Sequence, residues 1–394
     1  VLSSTRNPVI CLAQIVWCPG CTMNKNFGLK LLSVIKKNAA SLILQEQAVS
    51  SLKLISNAKA LPIACVDLGG GNVLDLAAHL QRFGGADSEL MGTFGGEHNS
   101  SMLDFINATS ERPHILENLK NFMTGDDDSG VVSNGGASGG ASLFHEDDII
   151  PANAYTLDVP IRPHRNLMCI GKNYSDHIAE INRINARKET AQSSGAGVVT
   201  PVETIKVPVI FTKVPQTLVP HGGPVESHAG TTRWLDYEVE LAVVIGKKCR
   251  DVSEDDAMQA VFGYTIANDV TARDVQKRHL QWFKGKSLDT TCPLGPSIIH
   301  ANSHPHIDPH NLKLKTWING ELRQDSNTSN LIFKIPRLIS DLSKGFTLLP
   351  GDVILTGTPD GVGYAMDPPQ ILQPGDKMVL EIEHLGKLEN HIVG

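Results

Sequence analysis

The clearest chemical pattern in the sequence is a set of three carboxylates spaced two residues apart, Asp236, Glu238 and Glu240, at the start of an apolar run that ends at Gly246. In a β-strand, residues two apart point to the same face, so these acids would converge. Converging carboxylates repel one another and are costly to bury without a cation. Mg2+, Mn2+ or Ca2+ suits such oxygen ligands, and no His or Cys lies among them to favour zinc. The alternative is an acidic stripe that faces solvent on an edge strand.

Four further residues could take part in the same chemistry. Asp269 follows the apolar segment 263–268, and strand ends commonly display functional side chains. Lys286 adds a cation in a loop rich in Gly and Pro. His177 and Glu180 are three residues apart, which on a helical turn lets the carboxylate orient the imidazole and raise its basicity. A His–Glu pair of this kind is more often a structural hydrogen bond than a catalytic pair.

Other His and Cys residues are less typical of a functional site. His304, His306 and His310 could form a metal cluster, but prolines between them would break a shared helix face, which favours a solvated loop. Cys292 lies in an apolar segment rich in proline, as a small core residue would. The seven cysteines are an odd number spread over a long chain, which favours a reducing compartment over a disulfide framework.

Composition excludes two classes of partner. The formal net charge is -7 and the pI is about 6.1, whereas nucleic-acid-binding proteins normally carry a basic face. The longest apolar run, Pro8 to Trp17, is interrupted by Gln14 and is far shorter than the roughly 20 residues that cross a bilayer. We therefore expect no nucleic acid partner and no membrane span.

The chain divides into four predicted segments. Residues 1–45 contain basic side chains and no Asp or Glu, which resembles a mitochondrial targeting leader, with a misassigned gene start and a cytoplasmic location as the alternative. Residues 46–125 form a small N-terminal domain. Residues 126–160 are a flexible linker rich in Gly and Ser. Residues 161–394 form the large domain.

Local patterns predict the elements that would position the candidate residues. In the small domain, Leu61 to Asp67 reads as a strand, Gly69 to Gly71 as a tight turn and Val73 to Phe83 as a helix. Beyond residue 160, Val-, Ile- and Leu-rich segments bounded by Gly, Pro, Asn and Asp predict a mainly β domain. We predict strands at 167–171, 208–212, 237–246, 313–317, 352–356 and 378–384, and helices at 253–261 and 334–342.

Five motifs in the large domain resemble the fumarylacetoacetate hydrolase superfamily. Within it, they are most similar to the branch named fumarylacetoacetate hydrolase domain-containing protein 2. They are the segments Leu167 to Glu180, Leu235 to Lys247, Gly263 to Gln276, Gly285 to Pro296 and Leu349 to Gly363. The resemblance covers about residues 160–394. It implies an α+β, mainly β fold: a mixed β-sandwich roll with a small N-terminal domain, usually homodimeric and holding Mg2+.

The same resemblance assigns roles by position. Glu238, Glu240 and Asp269 match the metal ligands, and His177 with Glu180 matches the acid–base pair. Lys286 and Gln276 match polar residues around the metal and substrate, with Lys286 placed to stabilise an enolate. Thr358 matches a contact to the substrate carboxylate. Lys213 is similar to a family lysine near the site and is grouped with Gln276 and Thr358 as substrate-binding.

These assignments imply an enzyme acting on a small 2-oxo or 1,3-dicarbonyl acid. The resemblance favours keto–enol tautomerisation of oxaloacetate, in which His177 moves the C3 proton. Hydrolysis of a carbon–carbon bond in an acylpyruvate or fumarylacetoacetate-like compound, and decarboxylation of oxaloacetate, fit the same residues. A metabolite-binding scaffold is the non-enzymatic alternative, but it has no need of a His177–Glu180 pair.

Overall fold

The structure is a computed structural model, and it describes residues 14–19, 62–69, 72–75, 106, 149–150, 157–180, 205–302 and 306–394. The chain forms two compact units, residues 1–156 and 157–394. Apart from residues 14–19, the predicted leader lies outside the described residues, as does most of the predicted linker.

The first unit contains a four-stranded antiparallel sheet whose strands lie side by side in chain order. These strands are β1 (Gln14–Pro19), β2 (Pro62–Gly69), β3 (Asn72–Asp75) and β4 (Ile149–Ile150). Gly69 pairs with Asn72, the arrangement that the predicted turn at 69–71 requires. The predicted helix is wrong at its start, because Val73 and Leu74 pair with β2 and β4. Hydrogen bonding to two neighbouring strands overrides the local helical pattern.

The second unit is built mainly from strands. They are β5 (Leu167–Gly171), β6 (Val209–Lys213), β7 (Leu218–Val219), β8 (Pro224–Glu226), β9 (Leu235–Asp236), β10 (Val239–Ile245), β11 (Val261–Asn268), β12 (Thr271–Ala272), β13 (Cys292–His300), β14 (Lys313–Ile318), β15 (Glu321–Asn327), β16 (Val353–Leu355), β17 (Lys377–Ile382) and β18 (Gly386–Val393). Every strand predicted for the large domain is present, with ends within two residues of the prediction.

Helices in this unit are short. They are α1 (Glu254–Ala257), α2 (Arg273–Arg278), α3 (Phe283–Lys286) and α4 (Ile335–Ser343), and residues 175–180 are also helical. Single 3-10 turns occupy Pro215–Thr217, Met258–Ala260, Thr328–Asn330 and Gly363–Ala365. Within the described part of the chain, no helix combines the length and the apolar character needed to cross a membrane.

Two mixed sheets form most of the second unit, and β9 and β12 form a separate two-stranded antiparallel sheet. The seven-stranded sheet has the order β6-β5-β16-β10-β11-β13-β7, and the five-stranded sheet has the order β15-β14-β17-β18-β8. One hydrophobic cluster joins side chains from both sheets and from α4, among them Leu241, Val243, Leu314, Leu338 and Leu380. This packing confirms the predicted α+β, mainly β class and its mixed β-sandwich.

The strand that carries Glu240, the last acid of the motif, lies in the middle of the larger sheet. β10 pairs with β16 on one side and β11 on the other, and all its residues are buried. Its run of β-branched and aliphatic residues suits a strand that is covered on both faces. The motif is therefore not an acidic stripe on a solvent-facing edge.

Close packing between β11 and β13 depends on Gly263. A Cβ atom added at this position would lie 2.2 Å from the carbonyl oxygen of Ile299 and 2.8 Å from a methyl of Ile298. We expect Gly263→Ala to destabilise the second unit by about 1–3 kcal/mol, the usual cost of overpacking, measured as a lowered urea midpoint. Gly230→Ala is the control, because its Cβ would meet nothing within 4 Å. Equal midpoints for the two variants would contradict this packing.

Candidate active site

Adjacent strand ends bring three carboxylates together. Val239 at the start of β10 pairs with Asn268 at the end of β11, and the Asp269 N–H donates to the Glu238 carbonyl oxygen at 2.9 Å. Glu240 is two residues further along β10. One carboxylate oxygen from each of Glu238, Glu240 and Asp269 lies within 4.8 Å of the others, and all three residues are buried. The structure thus places the three predicted metal ligands in one cluster.

Two lysines contact this acid cluster, which we define as Glu238, Glu240 and Asp269. Lys286 at the end of α3 places its Nζ atom 2.7 Å from Glu238 Oε2 and 2.6 Å from Asp269 Oδ2. Lys213 at the end of β6 places its Nζ atom 2.9 Å from Asp269 Oδ1 and donates to the Val270 carbonyl at 3.1 Å. Because Lys213 is fully buried beneath Asp269, its contacts orient that acid. Lys213 was predicted to bind the substrate, whereas in the structure it contacts Asp269 and does not line the pocket described below.

A third cation, Arg273, was missed by the sequence analysis. Its Nε atom donates to Asp236 Oδ2 at 2.9 Å, and its Nη1 atom lies 2.6 Å from Glu238 Oε1. Its Nη2 atom is buried and makes no hydrogen bond among the described residues. A buried donor of this kind needs an acceptor, which a bound anion would supply. The available signal was the position of Arg273 four residues after Asp269, at the start of the helix that follows the strand.

Asp236, the first acid of the motif, has a different role from its neighbours. Its carboxylate accepts the backbone N–H groups of Gly363 at 2.8 Å and Tyr364 at 3.1 Å, as well as Arg273 Nε. Residues 237 and 238 separate β9 from β10, so the three acids do not continue one strand face. Asp236 therefore fixes Arg273 and the 363–364 backbone.

The charges in this region are not evenly compensated. Burial opposes ionisation of Glu238, but Arg273 and Lys286 outweigh it and lower the pKa of this carboxyl to about 2. Burial raises the pKa of Glu240 well above its usual range, and the neighbouring Asp269 and Glu238 raise it further. Among the described residues no cation forms an ion pair with Glu240, which accepts the Gly357 N–H at 2.7 Å. Glu240 is thus the acid that most needs an added positive charge.

Glu238 and Glu240 of the acid cluster line one small pocket, the site pocket, with a volume of about 230 Å³, whereas Asp269 and Lys213 do not line it. Its size is below the roughly 300–1,000 Å³ of sites for drug-sized ligands, which suits a small metabolite. The predicted site residues that line it are His177, Glu180, Glu238, Glu240, Gln276, Lys286 and Thr358. Phe211, Trp282 and Tyr364 supply aromatic surface, and the remaining lining residues include Lys172, Arg273 and Lys277.

His177 and Glu180 form the predicted pair in the helical segment 175–180. His177 Nδ1 lies 3.1 Å from Glu180 Oε2, and both side chains are largely buried. The Gly361 N–H donates to the other oxygen of Glu180 at 2.9 Å. With Nδ1 facing a carboxylate, Nε2 of a neutral imidazole carries the lone pair that can accept a proton.

Thr358 is held by a residue that the sequence analysis did not identify. Gln324 is fully buried, and its Nε2 atom donates to Thr358 Oγ1 at 2.9 Å and to the Pro359 carbonyl at 3.1 Å. Its Oε1 atom accepts the Val239 N–H at 3.1 Å and the Thr316 hydroxyl at 2.9 Å. Because Thr358 Oγ1 accepts from the amide, its own hydrogen can be donated to a ligand.

Two patterns set aside in the sequence analysis lie away from these contacts. His306 stacks edge-on with His384 at a centroid distance of 6.2 Å, and His310 lies 3.5 Å from Asp308; neither lines the site pocket. His304 is outside the described residues. Cys292 is buried, and burial raises the pKa of its thiol to about 12, so it is not an activated nucleophile.

The family model for the C-terminal domain of fumarylacetoacetate (FAA) hydrolase matches residues 166–393. The chain belongs to the fumarylacetoacetate hydrolase family. The matched range contains every residue of the acid cluster, the His177–Glu180 pair and Thr358, and it confirms the resemblance of the five motifs.

Two curated relatives show which branch of the family this chain resembles. Oxaloacetate tautomerase YisK of Bacillus subtilis is 49% identical over 237 residues, which make up 60% of this chain and 72% of that protein. The mitochondrial oxaloacetate tautomerase Fahd2a of Rattus norvegicus is 40% identical over 248 residues, 62% of this chain and 72% of that protein. The predicted similarity to the domain-containing protein 2 branch is therefore confirmed.

A solved structure shows the same fold over a larger part of the chain. Fumarylacetoacetate hydrolase from the psychrophilic Exiguobacterium antarcticum is 32% identical, with a TM-score of 0.57, and the match covers 87% of this chain and 99% of that chain. Family members that are named as tautomerases and as hydrolases are thus both similar to this chain.

The hydrogen bonds of Gln324 give a prediction for the site. Replacing it with Leu would leave the buried Val239 N–H and Pro359 carbonyl without partners, at about 1–3 kcal/mol for each unsatisfied group. We expect Gln324→Leu to lower the free energy of unfolding by about 3 kcal/mol, measured by urea denaturation. Gln259→Leu, at an exposed position, should change it by less than about 0.5 kcal/mol. A stability loss no larger than in the control would show that the buried amide does not hold the Thr358 segment.

Proposed function

We propose that this member of the fumarylacetoacetate hydrolase family is an oxaloacetate keto–enol tautomerase that requires a divalent cation, most simply Mg2+. The observation that carries the proposal is that Glu238 and Glu240 of the acid cluster, Lys286 and the His177–Glu180 pair all line one small pocket. The proposed proton-transfer group thus lies in the same pocket as Lys286 and the proposed cation site, either of which could bind an anionic oxygen of the substrate. The names of the Bacillus subtilis and Rattus norvegicus relatives support oxaloacetate as the substrate.

The donor set of the acid cluster fits a hard divalent cation. It consists of carboxylate oxygens alone, which suit Mg2+, Mn2+ and Ca2+ better than zinc or copper. Asp236 and the acid cluster together contribute four buried carboxylates, against the three cations Lys213, Arg273 and Lys286. Glu238, Glu240 and Asp269 would hold the ion. A bound divalent cation would supply Lewis-acid polarisation of a substrate keto oxygen.

Three groups are placed to bind the carboxylate next to the keto group. Thr358 has a hydroxyl hydrogen to donate, Arg273 has the buried Nη2 donor, and Gln276 lines the same pocket. Charged donors such as Arg273 form the strongest hydrogen bonds to carboxylates. Together they orient a 2-oxo acid with its keto oxygen toward Lys286.

Tautomerisation moves one proton from C3 of oxaloacetate to the keto oxygen. The neutral His177 imidazole accepts the C3 proton at Nε2, while Glu180 holds Nδ1 and stabilises the imidazolium that forms. The lysine ammonium has three N–H donors, and Glu238 and Asp269 take two of them from Lys286. The third can stabilise the negative charge that develops on the keto oxygen. Return of the proton from His177 to that oxygen gives the enol.

A side-by-side assay tests this function. Purified protein, with and without Mg2+, is followed for loss of the oxaloacetate enol, for release of pyruvate and for cleavage of an acylpyruvate. We expect acceleration of the enol–keto equilibration to exceed the other two rates when Mg2+ is present. Faster acylpyruvate cleavage would establish the hydrolase alternative, which the similarity to the Exiguobacterium antarcticum enzyme supports. Faster pyruvate release would establish a decarboxylase.

Two further features stay predictions from the sequence. A mitochondrial location rests on the acid-free residues 1–45 and is supported by the name of the Rattus norvegicus relative, whereas the Bacillus subtilis relative is bacterial. The cytoplasm is therefore the alternative location. The homodimer rests on the family resemblance alone.

The cation site gives a prediction about Glu240. Glu240→Gln removes one ligand and one negative charge, and we expect Mg2+ affinity to fall by at least about 10–100-fold in calorimetry. Glu389→Gln is the control, because this exposed carboxylate removes the same charge outside the site pocket. Thermal unfolding should show that both variants are folded. Undiminished Mg2+ affinity in Glu240→Gln would refute the ligand assignment.

The proton-transfer role gives a prediction about His177. We expect His177→Ala to lower kcat by roughly 10²–10⁴-fold, and to slow exchange of the C3 protons of oxaloacetate with deuterium oxide. Glu180→Gln should cost less, because the imidazole remains. Oxalate binding should persist in both variants, since neither removes a proposed ligand of its carboxylates. His164→Ala controls for loss of an exposed imidazole outside the pocket. Exchange at the wild-type rate in His177→Ala would assign the base to another group.

A further inference from the structure

One face of α2 presents a second cation to the site pocket. Arg273, Gln276 and Lys277 all line the pocket, and their spacing of three and four residues is that of neighbours on one side of a helix. Arg273 is buried at the inner end of this row, whereas Lys277 is exposed one turn further along. The row therefore leads from the acid cluster to the rim of the pocket.

Aromatic residues fix the position of Lys277. Its ammonium donates a hydrogen bond to Tyr364 Oη, lies 3.6 Å from the centroid of the Tyr364 ring and 5.9 Å from that of Trp234. Cation–π contacts of this kind attract the ammonium to the ring face. These contacts restrain the direction in which the ammonium points.

Tyr364 in turn is fixed to the site. Its backbone N–H donates to Asp236 Oδ2 at 3.1 Å, and the same carboxylate accepts Arg273 Nε at 2.9 Å. The two cations of α2 are thus held relative to each other in two ways, through the helix and through Asp236 and Tyr364. Such restraint is what a site needs to distinguish ligands by the spacing of their charges.

We propose that Lys277 is a specificity-determining residue that binds the second carboxylate of a four-carbon 2-oxo dicarboxylate, while Arg273 binds the first. This inference rests on the proposed function for the identity of the reacting end of the ligand. Side chains four residues apart on a helix have Cβ atoms about 5–6 Å apart. The two carboxylate carbons of such a ligand are joined by three C–C bonds and lie about 4 Å apart. The two cations can therefore meet both carboxylates of one molecule.

Charge complementarity favours the rim as the place for the second carboxylate. The inner wall of the pocket carries Glu238 and Glu240, which would repel a second anionic group. Of the other charged lining residues, Lys277 is exposed and Lys172 is half-buried, so both lie nearer to solvent than the two acids. Lys277 is the better candidate, because it shares a helix with Arg273 and is held by Tyr364.

A pair of ligands tests this assignment. 3,3-Difluorooxaloacetate has two carboxylates and no C3 hydrogen, so it binds without enolising, whereas 2-oxobutanoate has a methyl group in place of the second carboxylate. Dissociation constants for each ligand are measured by calorimetry with Mg2+ present, and each ligand is compared with itself across variants. We expect Lys277→Ala and Lys277→Met to weaken difluorooxaloacetate binding by about 10-fold and to change 2-oxobutanoate binding by less than about 2-fold.

The matched control is Arg278→Ala. This neighbouring residue of α2 is exposed and does not line the pocket, and its loss changes the net charge equally. If Arg278→Ala weakened binding of the dicarboxylate as much as Lys277→Ala does, the proposal would be overturned, because the effect would then come from the net charge of the protein and not from a contact with Lys277. Equal weakening of both ligands in Lys277→Ala, or selective weakening in Lys172→Ala alone, would also overturn it. Selective weakening in a protein that fails the tautomerase assay would reject the proposed reaction and keep the carboxylate assignment.

Discussion

The compensation of buried negative charge is the constraint on which the rest of this structure depends. Asp236 and the acid cluster are almost fully removed from water, and an isolated carboxylate in such surroundings is strongly destabilising. Lys213, Arg273 and Lys286 are buried against them and come from the end of β6, from α2 and from α3. The strands and helices around β10 are thus arranged so that three cations contact the acids at neighbouring strand ends.

Hydrogen bonds from buried side chains connect these charged residues and their strands to the residues that line the pocket. Gln324 ties β10 to Thr358, and Asp236 ties Arg273 to the backbone at 363–364. Gln324 and Asp236 each bond to several groups from other parts of the site, so displacing either would leave several partners unpaired. These hydrogen bonds fix the segments at which the pocket would bind the carboxylate and keto group, where tautomerisation would require a defined geometry.

Short-range sequence patterns predicted the components of the site better than its connections. Glu238, Glu240 and Asp269 could be grouped because they lie at the ends of apolar runs that read as strands, and His177 with Glu180 because three residues make a helical turn. Lys213 was assigned to the substrate from the family resemblance, and nothing in its local sequence shows that it is buried beneath Asp269. Arg273 and Gln324 were missed for the same reason: their roles arise from contacts between distant segments. The helix predicted from Val73 was wrong at its start, because sheet pairing decides the conformation there.

The backbone at Gly361 connects the proposed base, through Glu180, to the segment that carries Glu238. The Gly361 N–H holds Glu180 at 2.9 Å, and the Gly361 carbonyl accepts the hydroxyl of Tyr237, which precedes Glu238 in the chain, at 3.0 Å. Gly361 has a φ of +91°, and a Cβ atom there would lie 2.0 Å from the Arg323 carbonyl oxygen, so only glycine fits. The position of His177 is therefore determined through Glu180 by the same backbone that borders the acid cluster. The groups proposed to transfer the proton and to stabilise the anion are thus held by one connected structure. This connection explains how a short helical segment could carry a base that reaches a substrate bound beside the central strands.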